Sequence, residues 1–187
     1  MRVCRVCTEF ANRICQGDIF RDVEYFEGMT EADGNIEIRK ILFPLAIVLT
    51  QDCDLHEDHR LRSEDSQTQD KCLISVLMAP LYNAQHVFAG EHLMDPSIMI
   101  KSSLIPNKRT AGDFLMKNQR PRYHYLEFPE TAVSLTSSII DFKHYFSCPV
   151  SYLEKLEKNK FVCKIQELDR EDISQRFAAF LSRIGLP

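Results

Sequence analysis

Apolar and polar residues alternate over residues 18–26 in the manner of a β-strand. The pattern predicts a strand over residues 18–26 and an extended segment that leads into a buried strand over residues 36–50. Residues 27–35 form a loop between them, and the Asp33-Gly34 pair predicts a turn there. Because Pro44 cannot donate to a sheet ladder, we expect an edge position or a bulge at this residue.

The rest of the chain mixes helical and strand spacing. Residues 5–16 repeat apolar side chains every fourth position and predict a short helix. Residues 72–79 predict a core strand that ends at Pro80, and residues 81–92 predict a helix. The remaining predictions are two strands over 123–128 and 133–142, a short helix beginning at Ser147 or Pro149, and a last strand over 161–168.

The C-terminal helix has the clearest signals. Asp169 is the predicted N-cap, and Gly185 ends the helix. Its predicted apolar face comprises Ile173, Phe177, Phe180, Leu181 and Ile184.

These elements predict an α+β fold with a mostly antiparallel sheet or a small, partly open barrel, decorated by helices and closed by the C-terminal amphipathic helix. The strands follow one another too closely for repeated crossover helices. We find no internal repeat and no linker, so residues 1–187 form one predicted domain. Residues 56–70 are acidic and almost free of apolar side chains, which predicts a solvated loop.

Composition narrows the class of protein. Hydrophobic residues make up 44% of the chain and charged residues 27%, as in ordinary globular proteins. No apolar run approaches the roughly 20 residues that cross a bilayer, and no secretory signal is apparent at the N-terminus. We therefore predict a cytoplasmic protein that does not contact membranes, in which the seven cysteines are reduced. The net charge of −4 attracts nucleic acid only if a local basic patch exists.

Polar side chains collect where the strand over residues 36–50 ends. Thr50, Asp52 and Asp54 are our candidate catalytic residues, because on an extended segment the two carboxylates share one face. Cys53 then points to the opposite face and is expected to be packed rather than reactive. The plain alternative is a charged strand exit in which a carboxylate accepts hydrogen bonds from backbone amides.

Two metal sites are conceivable from spacing. Asp52, Asp54 and His56 would suit a metal-dependent hydrolase. Cys4 and Cys7 have the two-residue spacing found in one half of a zinc site. Cys53 and His56 would supply the other two ligands. The alternative is a set of ordinary thiols, and we predict neither a metal nor another cofactor.

Residues 101–122 carry six cations against Asp113 alone, and aromatic residues follow directly. Such a segment holds phosphates and stacks bases in nucleic-acid-binding proteins. Arg122 and His124 are further candidate catalytic residues, expected on the strand face opposite to Tyr123 and Tyr125. The candidate nucleic-acid-binding residues are Lys108, Arg109, Lys117, Arg120, Arg122, Tyr123 and Tyr125. A solvated loop and a contact with an acidic protein are the alternatives.

The run Gly17-Asp18-Ile19-Phe20, a glycine-bearing loop and the strand from Pro44 to Thr50 resemble the opening of PemK/MazF-like toxins. The resemblance covers about the first third of the chain. It implies a compact antiparallel barrel with a C-terminal helix, a homodimer, endoribonuclease activity and a toxin–antitoxin-like role. Thr50 matches the family's Ser/Thr position, but Phe43 stands where the family has the arginine implied in phosphate stabilisation and proton transfer.

Three functions follow. The first is a non-catalytic binding module of the PemK/MazF-like barrel type that contacts a protein or nucleic acid. The second is an endoribonuclease-like phosphodiesterase for single-stranded RNA, in which Arg122 and His124 stand in beside Thr50, Asp52 and Asp54. The third is the metal-dependent hydrolase. The missing arginine and the acidic net charge favour the first.

Overall fold

The computed structural model describes residues 3–63, 70–93, 108–156 and 160–183. Within these residues eight strands and five α-helices are formed. The strands are β1 Val6–Cys7, β2 Asp18–Ala32, β3 Asn35–Val48, β4 Ser75–Asn83, β5 Tyr123–Leu126, β6 Ser138–Asp141, β7 Phe146–Pro149 and β8 Phe161–Ile165. The helices are α1 Asp52–Ser63, α2 Ala84–Ala89, α3 Lys108–Met116, α4 Val150–Lys155 and α5 Glu167–Leu181, with short 3₁₀ turns at Glu91–Leu93 and Phe142–His144.

The strands form one sheet in the order β1-β8-β2-β3-β4-β6-β5, and β7 pairs with β4. Every pairing between the described strands is antiparallel. The sheet is a half-barrel, which confirms the predicted α+β class and its C-terminal helix. No helix among the described residues is long and apolar enough to cross a bilayer.

Apolar side chains cover both faces of the central strands. On one face, Ile19 and Ile47 pack beneath α5, which contributes Ile173, Phe177 and Phe180. On the other face, neighbouring residues of the same strands pack against Leu55 of α1 and against α4. This double burial explains why the segment leading to Val48 is almost uniformly apolar.

The two strands of the β2–β3 hairpin are much longer than the segments of them that pair with other strands. β2 pairs with β8 only over Asp18–Phe20, and β3 pairs with β4 only over Ala46–Val48. Residues 24–42 therefore extend beyond the other described strands as a two-stranded ribbon, which we call the arm. The loop predicted over residues 27–35 is longer than the observed connection, because both strands continue to a tight turn at Asp33 and Gly34.

Pro44 occupies the predicted edge position. β4 pairs with β3 only from Ala46 onward. At Pro44, the edge of β3 that faces away from β2 therefore has no neighbouring described strand. On the other side, β2 pairs immediately before and after this point, and Asp22 between those pairs has a φ of 54°. The missing amide hydrogen of Pro44 therefore costs no hydrogen bond to β4.

Several local predictions were wrong. Residues 5–16 contain the short strand β1, paired with β8, rather than a helix. Residues 56–63 belong to α1 rather than to a loop, whereas residues 64–69 lie outside the described residues. Pro80 lies inside β4, where it pairs with Ala46.

The C-terminal helix begins slightly earlier than predicted. Gln166 occupies the N-cap position, and Asp169 lies in the first turn with its carboxylate accepting a hydrogen bond from the Arg5 amide at 3.0 Å. Leu181 is 51% exposed and is not part of the apolar face, and Ile184 lies outside the described residues.

Candidate functional site

Asp52 is the first residue of α1, shortly after β3 ends at Val48, and its carboxylate connects three parts of the chain. It accepts hydrogen bonds from Arg13 at 3.3 and 3.0 Å and from the Gln16 amide at 3.1 Å, and Arg170 of α5 approaches to 3.8 Å. Burial opposes ionisation, but the hydrogen bonds from Arg13 and Gln16 outweigh it, so the pKa of Asp52 is lowered. The carboxylate is a stable anion that holds the N-terminal segment against α1.

Asp54 does not share a face with Asp52. Because α1 begins at Asp52, residues two apart diverge by about 200° around the helix instead of pointing the same way. Asp54 is exposed, and its carboxylate lies 3.6 Å from the Cys53 thiol. Cys53 is exposed as well, so the expectation that it would be packed was wrong.

Thr50 connects two strands through its side chain. Its hydroxyl accepts a hydrogen bond from the Leu77 amide at 2.7 Å. This bond joins the end of β3 to β4 just before α1 begins. A hydroxyl engaged in this way has a structural role in this conformation.

The predicted metal sets are not assembled. Among the described residues, no group of three or more histidine, cysteine, aspartate or glutamate side chains has an arrangement that could hold a metal ion. Cys4 is buried beneath α5, whereas Cys53 and His56 are exposed on α1. The zinc set and the Asp52, Asp54 and His56 set are therefore dispersed in the structure.

The basic segment is only partly available to a ligand. Lys117 and Arg120 are exposed, and the Arg120 guanidinium lies 6.0 Å from the Phe114 ring. Lys108 and Arg109 begin α3, but their side chains are outside the described part of the structure. Tyr125 is half-buried, and Tyr123 is buried, so stacking on a base would require Tyr123 to leave the core.

Arg122 and His124 lie in different environments. Arg122 lies over the Tyr123 ring at 4.9 Å, rather than on the His124 side of the strand as predicted. His124 is buried on the side facing α5, and its Nδ1 finds no hydrogen-bond partner among the described residues. Burial, with a smaller effect of Arg176, lowers the pKa of His124 to about 3.

The predicted catalytic set is therefore not brought together. In the described part of the chain, Asp52 and Asp54 form no hydrogen bond or ion pair with Arg122 or His124. Arg122 instead binds Asp141, the last residue of β6.

Asp141 is the centre of a cluster that sequence reasoning missed. Its fully buried carboxylate accepts hydrogen bonds from Arg122 Nε at 2.7 Å and from the Lys143 amide at 3.0 Å. Nε2 of His92 and Nε2 of His144 lie 3.6 and 3.7 Å from Asp141 Oδ2, and the Tyr82 hydroxyl lies 2.9 Å from Nδ1 of His144. We call Tyr82, His92, Arg122, Asp141 and His144 the Asp141 cluster.

Electrostatics hold this cluster in one ionisation state. Burial opposes ionisation of Asp141, but His92 and Arg122 outweigh it and lower its pKa to about 2. Burial lowers the pKa of His144, and this effect exceeds the opposing attraction of Asp141. At neutral pH the cluster therefore contains an anionic Asp141, a cationic Arg122 and a neutral His144.

The sequence contained a weak sign of this cluster. Asp141 ends β6, His144 follows it three positions later, and Arg122 directly precedes β5, the strand that pairs with β6. The register places Tyr123 opposite Asp141, which brings Arg122 within reach. Without the strand pairing, nothing related these residues to Tyr82 in β4.

The arm is the second unusual feature. On β3, Ile36, Ile38 and Leu42 share one face because they alternate along the strand. Their face includes Met29, which pairs with Ile38, and Phe26, which pairs with Lys40. The register shift between Phe26 and Gly28 keeps Phe26 and Met29 on this face. All five apolar side chains are between 53% and 63% exposed.

No protein-family model matches this chain, and no curated protein is significantly similar to it. The resemblance to PemK/MazF-like toxins stays a prediction. The function is therefore inferred from the arrangement of the chain's own residues.

Proposed function

We propose that this chain is a binding module that docks another protein through the apolar face of its arm. The observation that carries the proposal is the concentration of five large, mostly exposed apolar side chains on one face of the arm: Phe26, Met29, Ile36, Ile38 and Leu42. The Glu24–Lys40 ion pair lies on the same face, and exposed apolar surface bordered by polar residues is typical of protein–protein contact.

The physical case begins with the stability of the arm. A two-stranded ribbon is marginally stable in water unless one face packs against something else. At the base of the arm, Tyr25 and Phe43 pack against Phe146, with Phe43 and Phe146 stacked at 4.9 Å. Farther out, the face that contains Met29 and Ile38 has no such cover among the described residues. Burying each of these side chains would contribute about 1.5–3 kcal/mol.

The charges of the arm favour a protein over nucleic acid. Residues 24–42 contain five acids, Glu24, Glu27, Glu31, Asp33 and Glu37, against Arg39 and Lys40. A phosphate backbone would be repelled by such a surface. The complementary partner is a protein with an apolar surface bordered by basic residues.

The other predicted functions have less support. The endoribonuclease-like alternative needs Asp52 or Asp54 close to Arg122 and His124, and these residues have separate partners. The metal-dependent hydrolase needs Asp52, Asp54 and His56 together, and they do not form a metal-binding group.

Site-specific photo-crosslinking tests the proposal. A photoreactive amino acid is placed at Met29 in one variant and at Thr30, on the opposite face of the same strand, in the matched control. In cells that express the protein, the position 29 variant should form a discrete adduct with a partner protein, and the position 30 variant should not. Mass spectrometry identifies the partner, and binding to the purified partner should weaken at least tenfold in Met29→Lys but not in Thr30→Lys. Equal crosslinking from both faces, or no adduct, contradicts the proposal.

A further inference from the structure

Tyr82, His144 and Asp141 lie in a row, and we call them the relay: a hydrogen bond joins Tyr82 to His144, and the Asp141 carboxylate lies within ion-pair distance of the far side of the His144 ring. The Tyr82 hydroxyl is 2.9 Å from His144 Nδ1, and His144 Nε2 is 3.7 Å from Asp141 Oδ2. Because the ionised Asp141 faces Nε2, the imidazole proton belongs on Nε2. Nδ1 is then the acceptor, and the Tyr82 hydroxyl donates to it.

This is the order of a nucleophile, a general base and a group that orients the base. Asp141 is held in place by Arg122 and by the Lys143 amide, so the orienting carboxylate is rigid. His92 packs edge-on against the Tyr82 ring at 5.1 Å and restricts its position. Tyr82 and His144 are partly buried, and the His144 side chain retains 17% exposure.

Arg122 supplies the positive charge beside this relay. Its Nε and one terminal nitrogen bind Asp141, which leaves the other terminal nitrogen without an acceptor among the described hydrogen bonds. The Arg122 side chain is 23% exposed. Arg120 and Lys143, two further cations next to cluster residues in the chain, are exposed. An anionic substrate group is the natural occupant of this position.

We propose that the Asp141 cluster is an acid–base site for phosphate monoesters, with Tyr82 as the nucleophile, His144 as its base and Arg122 as the phosphate-binding cation. A monoester fits because its dianionic phosphoryl group has one substituent and matches the several cations around the relay. The site lies on the β4-β6-β5 part of the sheet, so it is independent of the docking proposed for the arm.

The reaction balances in two steps. In the first, the Tyr82 oxygen bonds to phosphorus, His144 accepts and keeps the Tyr82 proton, and the bond from phosphorus to the leaving oxygen breaks; the leaving oxygen departs on the opposite side and takes a proton from solvent water, which becomes hydroxide. In the second, water attacks phosphorus, the bond from phosphorus to the Tyr82 oxygen breaks, and the protonated His144 returns its proton to that oxygen. Inorganic phosphate leaves with the protons of the attacking water, one of which neutralises the hydroxide. Asp141 stabilises the imidazolium in both steps, and Arg122 stabilises the charge on the phosphoryl oxygens.

The test uses p-nitrophenyl phosphate with the full chain. Wild type should release nitrophenolate, and an acid quench during turnover should trap one phosphoryl group on the peptide that contains Tyr82. Tyr82→Phe should lose the adduct and at least 100-fold of kcat. Tyr145→Phe is the matched control, because Tyr145 is exposed and packs on Phe177 instead of the cluster, and it should retain activity.

A second readout separates chemistry from folding. Nitrogen NMR of His144 should show the proton on Nε2 in wild type, and Tyr82→Phe should shift the Nδ1 resonance while circular dichroism stays unchanged. The proposal is overturned if wild type is no faster than Tyr82→Phe, or if the adduct lies on another residue. Faster turnover of bis(p-nitrophenyl) phosphate than of the monoester overturns the substrate class.

Discussion

Both terminal nitrogens of the Arg13 guanidinium donate hydrogen bonds to the Asp52 carboxylate, at 3.3 Å to Oδ1 and 3.0 Å to Oδ2. The two residues are 39 positions apart, and their contact fastens an irregular N-terminal segment to the first turn of α1. The Gln16 amide donates to the same carboxylate. Asp52, a candidate for catalysis from sequence, thus has a clear structural role.

Asp52→Ala should therefore destabilise the protein by about 1–3 kcal/mol, because a partly buried arginine and a backbone amide lose a charged acceptor. Asp54→Ala is the matched control, since Asp54 is exposed and makes a single described contact with Cys53. Urea denaturation measures both. A loss in Asp54→Ala as large as that in Asp52→Ala would contradict this assignment.

Thr50→Val should cost about 1–2 kcal/mol, because the Leu77 amide would lose the hydroxyl that accepts its hydrogen bond. Thr50→Ser keeps the hydroxyl and should remain within about 0.5 kcal/mol of wild type. Thermal unfolding monitored by circular dichroism compares the three proteins. If valine and serine are equally tolerated, the bond does not contribute to stability.

Two buried groups should give opposite pH dependences of stability. Burial raises the pKa of Asp18 to about 7, despite the hydrogen bond from the Cys15 amide. Between about pH 4 and pH 7 the folded state therefore binds more protons than the unfolded state, and Asp18 makes stability fall as pH rises. The pKa of His124, lowered to about 3, has the opposite effect between pH 3 and 6.5, and the lowered pKa of His144 adds to that effect.

Asp18→Asn should therefore reveal the histidine effect, with stability rising from pH 4.5 to 6.5 more steeply than in wild type. The asparagine oxygen can still accept from Cys15, so the variant should be more stable than wild type at pH 8, by at most about 4 kcal/mol. In His124→Leu stability should rise less steeply with pH than in wild type over the same range, because only His144 then opposes the effect of Asp18. Urea denaturation across this range is the measurement, and identical slopes in wild type and both variants would refute the assignment.

The arm depends on the turn at Asp33 and Gly34, whose φ values of 52° and 74° match the tight turns that connect hairpin strands. Gly34→Ala should destabilise the arm by about 1 kcal/mol, because a side chain is strained at this φ even though nothing lies within 4 Å. Gly28→Ala is the control, since Gly28 also has open space but no positive φ. Hydrogen exchange of arm amides should accelerate about fivefold only in Gly34→Ala.

Elements could be predicted where the local pattern and the burial agree. Ile173, Phe177 and Phe180 in α5 are buried as their helical spacing indicates. The α1 helix could not be predicted this way, because Leu55 and Leu61 are its only buried apolar residues and do not form a helical repeat. The buried carboxylate of Asp58 in α1 accepts hydrogen bonds from the Leu73 amide at 2.6 Å and from the Arg62 guanidinium. A contact made 15 positions away leaves no local periodicity.

The sequence by itself determined the mostly antiparallel character, the turn at Asp33 and Gly34 and the amphipathic C-terminal helix, because each follows from short-range patterns and from glycine chemistry. Only the tertiary structure decided which polar groups meet. Tyr82 and His144 are 62 positions apart, and they meet because β6 pairs with β4. Arg122 reaches Asp141 because β5 pairs with β6 in a register that places Tyr123 opposite Asp141. Strand order and register arise from packing of the whole sheet, so the pattern of any single segment does not encode them.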